Sequence, residues 1–274
     1  MAGRRARRPR RIPPRLLTIA GSDSGGGAGI QADLKTFAAH GAYGMSAITA
    51  LTAQNTLGVR AVHEVPPEIV AAQIDAVFED IGVDAVKIGM LASAPIVRAV
   101  ADRLRFWRPV HVVLDPVMVA KSGDALLRDD AVEAVLGELV PLCSLVTPNL
   151  PELERMTGLP VATEEERRAA ASKLGPAVLA KGGHGEGAEV VDLLVLDGTV
   201  HRFHHRRLAT SSTHGTGCTV SSAIAARLGR GEELREAVGG AIRYLHRAME
   251  AAYPLGGGHG PVDHLYELFP EKEE

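Results

Sequence analysis

Cysteine is scarce: the 274 residues hold two, Cys143 and Cys218, far apart and in no Cys-x-x-Cys arrangement. That excludes a zinc finger and the disulfide framework of a small secreted scaffold, and it makes a reducing cytoplasm the expected compartment. No apolar run approaches the roughly 18 residues that span a bilayer, so no membrane segment is expected. The phosphate-loop pattern Gly-x-x-x-x-Gly-Lys-Ser/Thr is missing throughout. Acidic residues are missing from two informative stretches. Residues 34–63 contain none, and residues 1–15 contain seven arginines and no acid, which leaves −10 on the remaining chain against −3 for the whole. An acidic body argues against a nucleic-acid partner. The basic tail 1–15 reads as disordered, and the apolar stretch 16–20 behind it is too short for a signal peptide.

From residue 16 onward, short apolar runs alternate with stretches of helical period, the pattern of βαβ units around a parallel sheet. Strands are expected at 16–20, 85–88, 111–114, 144–146 and 177–180. Helices are expected at 30–40, 67–79, 94–106, 130–139, 151–156, 164–174, 216–228 and 232–252. Residues 190–196 and 199–208 flank Asp197-Gly198, a turn pair that predicts one β-hairpin at the sheet edge. Proline and glycine are spread through the turns and mark no seam, so residues 16–270 read as a single α/β domain.

Two glycine clusters carry the chemistry. The first, Gly21-Ser22-Asp23-Ser24-Gly25-Gly26-Gly27-Ala28-Gly29, lies between a strand and a helix, and Gly27 to Ala32 fits the dinucleotide fingerprint. That fingerprint needs an acidic residue about 20 positions on to hold a ribose, where this chain has none. The second, Thr213-His214-Gly215-Thr216-Gly217-Cys218-Thr219, opens a helix of small residues, where converging backbone N–H groups favour an anion. The same field is expected to lower the Cys218 thiol pKa and make it a proton acceptor or an orienter of a hydroxyl. A third group follows the expected strands. Asp115, the pair Asn149 and Glu152, and Lys181 suit Mg²⁺ held through water and a phosphate chain, although Asn149 could also cap a helix at 151–156. His201, His204 and His205 lie in an alternating strand that separates neighbours onto opposite faces, which speaks against a metal cluster. His184 sits in a glycine turn beside Lys181, where phosphates are expected. Met45, Met90 and Met118 read as core fillers.

These residues resemble one family. The segments 18–33, 49–56, 87–91 (Lys-Ile-Gly-Met-Leu), 114–123 (Leu-Asp-Pro-Val-Met-Val-Ala-Lys-Ser-Gly), 147–152 (Thr-Pro-Asn-Leu-Pro-Glu), 181–184 (Lys-Gly-Gly-His) and 214–219 occur in the order of the hydroxymethylpyrimidine/phosphomethylpyrimidine kinases of thiamine biosynthesis. The resemblance implies a ribokinase-like three-layer α/β/α sandwich with a mostly parallel sheet. It implies two ATP-dependent phosphorylations of 4-amino-5-hydroxymethyl-2-methylpyrimidine, first to the monophosphate and then to the diphosphate, by a homodimer. On this basis Asp23 and Gln54 would hydrogen-bond the pyrimidine, with Met90 and Val117 against its ring. Gly215, Thr216, Gly217 and Cys218 would form the anion hole and catalytic position, while Lys181, Asp115 and Thr213 would serve ATP and its phosphates. Asn149 and Glu152 match the superfamily's Mg²⁺-linked Asn-x-x-Glu. Two departures matter: Cys218 stands where most sugar kinases of the superfamily carry Asp, and Ala120 stands where related pyridoxal kinases carry a lid cysteine. The segment 254–264 also matches the family, without a role attached to it.

Overall fold

The computed structural model describes residues 12–119, 123, 126–175, 177–184 and 187–268. The arginines of 1–11 and the lid position Ala120 lie outside the described residues, and His184 is described by its backbone alone. One nine-stranded sheet organises the chain, in the order β3-β2-β1-β4-β5-β6-β7-β8-β9. Its parallel centre consists of β1 (Arg15–Asp23), β2 (Tyr43–Asn55), β4 (Ala85–Ile88), β5 (Val112–Leu114), β6 (Leu145–Val146) and β7 (Ala177–Ala180). Antiparallel hairpins close both edges. β8 (Glu189–Leu196) and β9 (Thr199–Arg206) form the expected one around Asp197-Gly198. β2 and β3 (Gly58–Glu64) form a second, which corrects the expectation of one edge hairpin.

Alternating side chains of the central strands enter two apolar layers. Leu17, Ile19, Val86, Ile88, Val112 and Leu114 pack toward α2 (Pro67–Asp80), α3 (Ala94–Trp107), α4 (Asp129–Ala134), α5 (Leu150–Thr157) and α6 (Glu164–Leu174). Leu16, Ala85, Val113 and Leu145 pack toward α1 (Gly29–Ala39), α7 (Thr216–Leu228) and α8 (Leu234–Glu250). The helix expected over 130–139 begins as α4 and continues as a π-helical turn, Val135–Leu139, around Gly137. Reciprocal capping boxes start α5, through Asn149 and Glu152, and α6, through Thr163 and Glu166. Strand order reverses at β1 and β4, the place where open α/β sheets bind ligands beyond their C-terminal ends.

The C-terminal segment is anchored by buried polar contacts. Tyr244 donates to the backbone oxygen of His264 at 2.7 Å, and the His264 ring lies 3.0 Å from the Thr219 hydroxyl. Burial, with Lys35 adding to it, pushes the imidazole down from 6.5 to about 4. The unfolded chain therefore binds this proton below pH 6.5 while the folded chain does not until about pH 4. The stabilisation is complete above 6.5 and declines as the pH falls toward 4, by on the order of 2–3 kcal/mol. Urea unfolding at pH 7 and pH 5 is expected to show that loss, and His264→Asn is expected to flatten it.

Candidate active site

The C-terminal ends of the parallel strands open into a cavity of about 700 Å³, a size common for small-ligand sites. All thirteen residues singled out by sequence line it: Asp23, Gln54, Met90, Asp115, Val117, Asn149, Glu152, Lys181, Thr213, Gly215, Thr216, Gly217 and Cys218.

At one end, the loop after β1 is shaped by Asp23. Its carboxylate accepts the N–H groups of Gly25 (2.8 Å), Gly27 (3.1 Å) and Ala28 (2.8 Å), and that of His214 Nε2 (2.9 Å). Burial opposes the charge, but these hydrogen bonds outweigh it and hold the pKa below the ordinary aspartate value. Asp23 therefore spends its carboxylate on closing the loop, a demand that its sequence position alone does not reveal. Gln54 lies near the end of β2, its side-chain oxygen accepting from Thr52 at 3.1 Å. Among the described residues its amide nitrogen has no protein partner. Met90 is buried beside it, under Gly21.

Facing this loop, residues 213–217 enter α7. Gly215 has φ +79°, and a Cβ there would collide with the Gly27 oxygen, so only glycine lets the two loops touch. At Gly217 a Cβ would stand 3.2 Å from Asp115 and 3.4 Å from Lys181. Those two are ion-paired at 2.8 Å, with Asp115 2 % exposed. Burial works against the Lys181 ammonium, but Asp115 and Glu152 outweigh it and keep it charged. The α7 N-terminus thus meets both members of that pair.

Cys218 sits in the first turn of α7, as expected, but its chemistry differs. Desolvation pushes the thiol up to about 11, with Asp33 and Asp115 adding to it, against the opposing pull of Lys87 and the Gly29 N–H. The expected lowering is corrected: loss of hydration outweighs the pull of Lys87 and the Gly29 N–H, and the resting group is a thiol.

The Asn149 side chain accepts from Glu152 N at 2.9 Å, and Glu152 accepts from Asn149 N at 2.8 Å. Asn149 is thus the cap of α5. Burial and the neighbouring Asp115 charge hold the Glu152 carboxyl above the ordinary glutamate range, with Lys181 opposing them.

The sequence alone assigned no site role to three features. Lys87, on β4, is completely buried and bonds both Asp33 oxygens at 2.8 and 2.9 Å. Asp33 also accepts from Thr18 and Ser222, each at 2.6 Å, so one carboxylate joins α1, β1, β4 and α7. A lysine in an otherwise apolar strand was the signal. The cavity also runs past Lys181 to Asp192, His205 and Arg207, and on to Ile242, Leu245, His246 and Met249 of α8. Arg207 orders the glycine turn there by donating to the Gly183 and Gly187 oxygens, both at 2.8 Å. His205 pairs with Asp192 at 3.1 Å while His204 faces Glu189, the separation expected from strand alternation. Finally, the segment 256–264 packs against both loops.

Comparison with known proteins places these features in context. A phosphomethylpyrimidine kinase family model matches residues 23–263. The chain is 55 % identical to a hydroxymethylpyrimidine/phosphomethylpyrimidine kinase of Rhizobium meliloti over 93 % of this chain and 98 % of that one. It is 54 % identical to a thiamine biosynthesis bifunctional protein of Geobacter sulfurreducens, spanning 93 % of this chain but only about half, 54 %, of the relative's length. Among solved structures it is similar to phosphomethylpyrimidine kinase from Clostridium difficile, with TM-score 0.77, 45 % identity, and coverage of 86 % of this chain and 99 % of that one. It also resembles pyridoxal kinase from Staphylococcus aureus in complex with ADP, with TM-score 0.87, 33 % identity, and coverage of 95 % and 97 %.

Proposed function

The chain belongs to the phosphomethylpyrimidine kinase family, and on that premise we propose that it phosphorylates 4-amino-5-hydroxymethyl-2-methylpyrimidine with ATP, and then phosphorylates the monophosphate to the diphosphate. The observation that carries this reading is the meeting, in one cavity, of a loop suited to a small polar acceptor with an anion-binding helix start. Gln54 offers its free amide to the pyrimidine, while Met90 and Val117 give the ring an apolar wall. Asp23 shapes the loop around it. The N–H groups of residues 215–218 receive charge developing on the transferred phosphoryl group, Lys181 and Thr213 hold the phosphate chain, and Asp115 fixes the lysine. Cys218, as a thiol, orients the acceptor oxygen; in a loose phosphoryl-transfer transition state position matters more than early deprotonation.

Glu152 and Asp115 fit Mg²⁺. They are buried hard-oxygen groups; burial, with Asp115 adding to it, raises the Glu152 pKa against the opposing pull of the nearby Lys181 cation. Among the described residues no three His, Cys, Asp or Glu side chains gather as a direct ligand set. When bound, Mg²⁺ neutralises phosphate charge. Asn149 contributes through the α5 cap. A homodimer in the cytoplasm completes the reading; the two free thiols fit a reducing compartment, and among the described residues no helix is long and apolar enough to cross a membrane.

Pyridoxal is the rival acceptor, because pyridoxal kinases share the fold at TM-score 0.87. Measuring kcat/KM for each acceptor with ATP tests the proposal: the pyrimidine is expected to be strongly preferred, and preference for pyridoxal would overturn it. Gln54→Ala is expected to weaken pyrimidine binding about tenfold, the loss of one good hydrogen bond. An unchanged dissociation constant by calorimetry would remove Gln54 from the pocket.

A further inference from the structure

Residues 256–264 cross the molecule between the acceptor loop and the anion-binding loop, and none of the roles assigned above uses them. His259 N donates to the Thr56 oxygen at 3.0 Å and Gly258 N to the Thr56 hydroxyl at 3.3 Å, fixing one end of the segment to the β2–β3 turn. At the other end, His214 N donates to the Gly260 oxygen at 3.0 Å, Pro261 bridges to His214, and His264 meets Thr219 of α7. The His214 ring, between them, is buried and donates Nε2–H to Asp23 at 2.9 Å. Asp23 is the carboxylate that shapes the acceptor loop, and the Gly27 oxygen of that loop touches Gly215. One residue therefore joins the three: the His214 ring holds the acceptor loop, while its backbone, part of the anion-binding loop, holds the C-terminal segment.

We infer that His214 is a positioning residue that keeps the acceptor loop in register with the anion-binding loop, and that residues 256–264 are the strap that holds it. The inference rests on the kinase reading above. Phosphoryl transfer needs the acceptor oxygen in line with the γ-phosphorus, and an ångström of slippage between the loops costs alignment more than affinity. A loosened register also admits water. Its oxygen bonds to the γ-phosphorus as the bond to the β–γ bridging oxygen breaks, giving ADP and inorganic phosphate while the water proton passes to solvent.

The test compares wild type, His214→Ala, His214→Gln and Gly258→Ala, measuring kcat, both KM values and the ratio of ADP formed to phosphoryl groups transferred to the pyrimidine. Wild type is expected to give a ratio near one. His214→Ala is expected to lose about 10²-fold in kcat, with KM values within about threefold and a ratio raised several-fold. Glutamine, whose amide N–H can replace Nε2–H, is expected to restore coupling. Gly258→Ala serves if His214→Ala does not fold, because a Cβ there meets the Thr56 oxygen and pushes the strap off its turn without touching the core; it too is expected to raise the ratio. Folded variants that keep the wild-type ratio, or lose activity through KM alone, would overturn the inference while leaving the kinase reading intact. Wild-type protein that phosphorylates no pyrimidine would overturn both.

Discussion

Cys218→Ala is expected to lower turnover by about 10²- to 10⁴-fold, the range for a group that assists proton transfer or orientation in the transition state. The pyrimidine and ATP dissociation constants are expected to change little, because the thiol acts on the reacting oxygen and contributes little to holding either substrate in the ground state. Its burial raises the thiol to about 11, so at neutral pH the residue is an uncharged donor and acceptor. A hydroxyl can take over part of that work, and Cys218→Ser is therefore expected to retain more turnover than alanine. A resting thiolate base would behave differently, since serine could not supply it. Steady-state kinetics of the three proteins separate these outcomes, and near-normal turnover in the alanine variant would remove Cys218 from the mechanism.

Lys87→Met is expected to destabilise the protein by about 3–5 kcal/mol, the cost of leaving a buried charge without its partner. The site has no exposure to share the burden: Lys87 and Asp33 side chains are both 0 % exposed. Burial works against the Lys87 ammonium, but Asp33, aided by Asp115, outweighs it and raises the pKa. After the substitution Asp33 keeps only the hydroxyls of Thr18 and Ser222. The double variant Lys87→Met with Asp33→Asn removes both charges and is expected to recover most of the loss, because a buried pair replaced by neutral groups of similar volume is often close to neutral. Denaturant melts of the two variants decide the matter. Equal destabilisation in both would show that packing, not the charge pair, sets the cost.

Most of the parallel sheet was legible because its strands are short apolar runs buried on both faces; β4 and β7 match their expected bounds residue for residue. The Asp197-Gly198 hairpin was legible from its turn chemistry. Tyr43–Asn55 was not, since its glycine and alanines lack strand propensity and become a strand by pairing with β1, from Arg15 with Tyr43 onward. The cavity-lining residues were legible as types at strand ends and at a glycine-rich helix start. What escaped was how they spend their hydrogen bonds. Asp23 closes a loop with a partner distant in the chain and Cys218 is desolvated by three-dimensional burial, whereas the cap formed by Asn149 with nearby Glu152 was readable as one of its alternatives. The cavity wall on α8 was hidden for the same reason: Ile242, Leu245 and Met249 look like any amphipathic helix until the fold turns one face toward the cavity.

The most direct test of the account is a mass-resolved time course of the purified protein with ATP, Mg²⁺ and 4-amino-5-hydroxymethyl-2-methylpyrimidine. The account predicts that the monophosphate rises first and then gives way to the diphosphate, with one ADP formed for each phosphoryl group transferred. Accumulation that stops at the monophosphate, or no pyrimidine product at all, would contradict it.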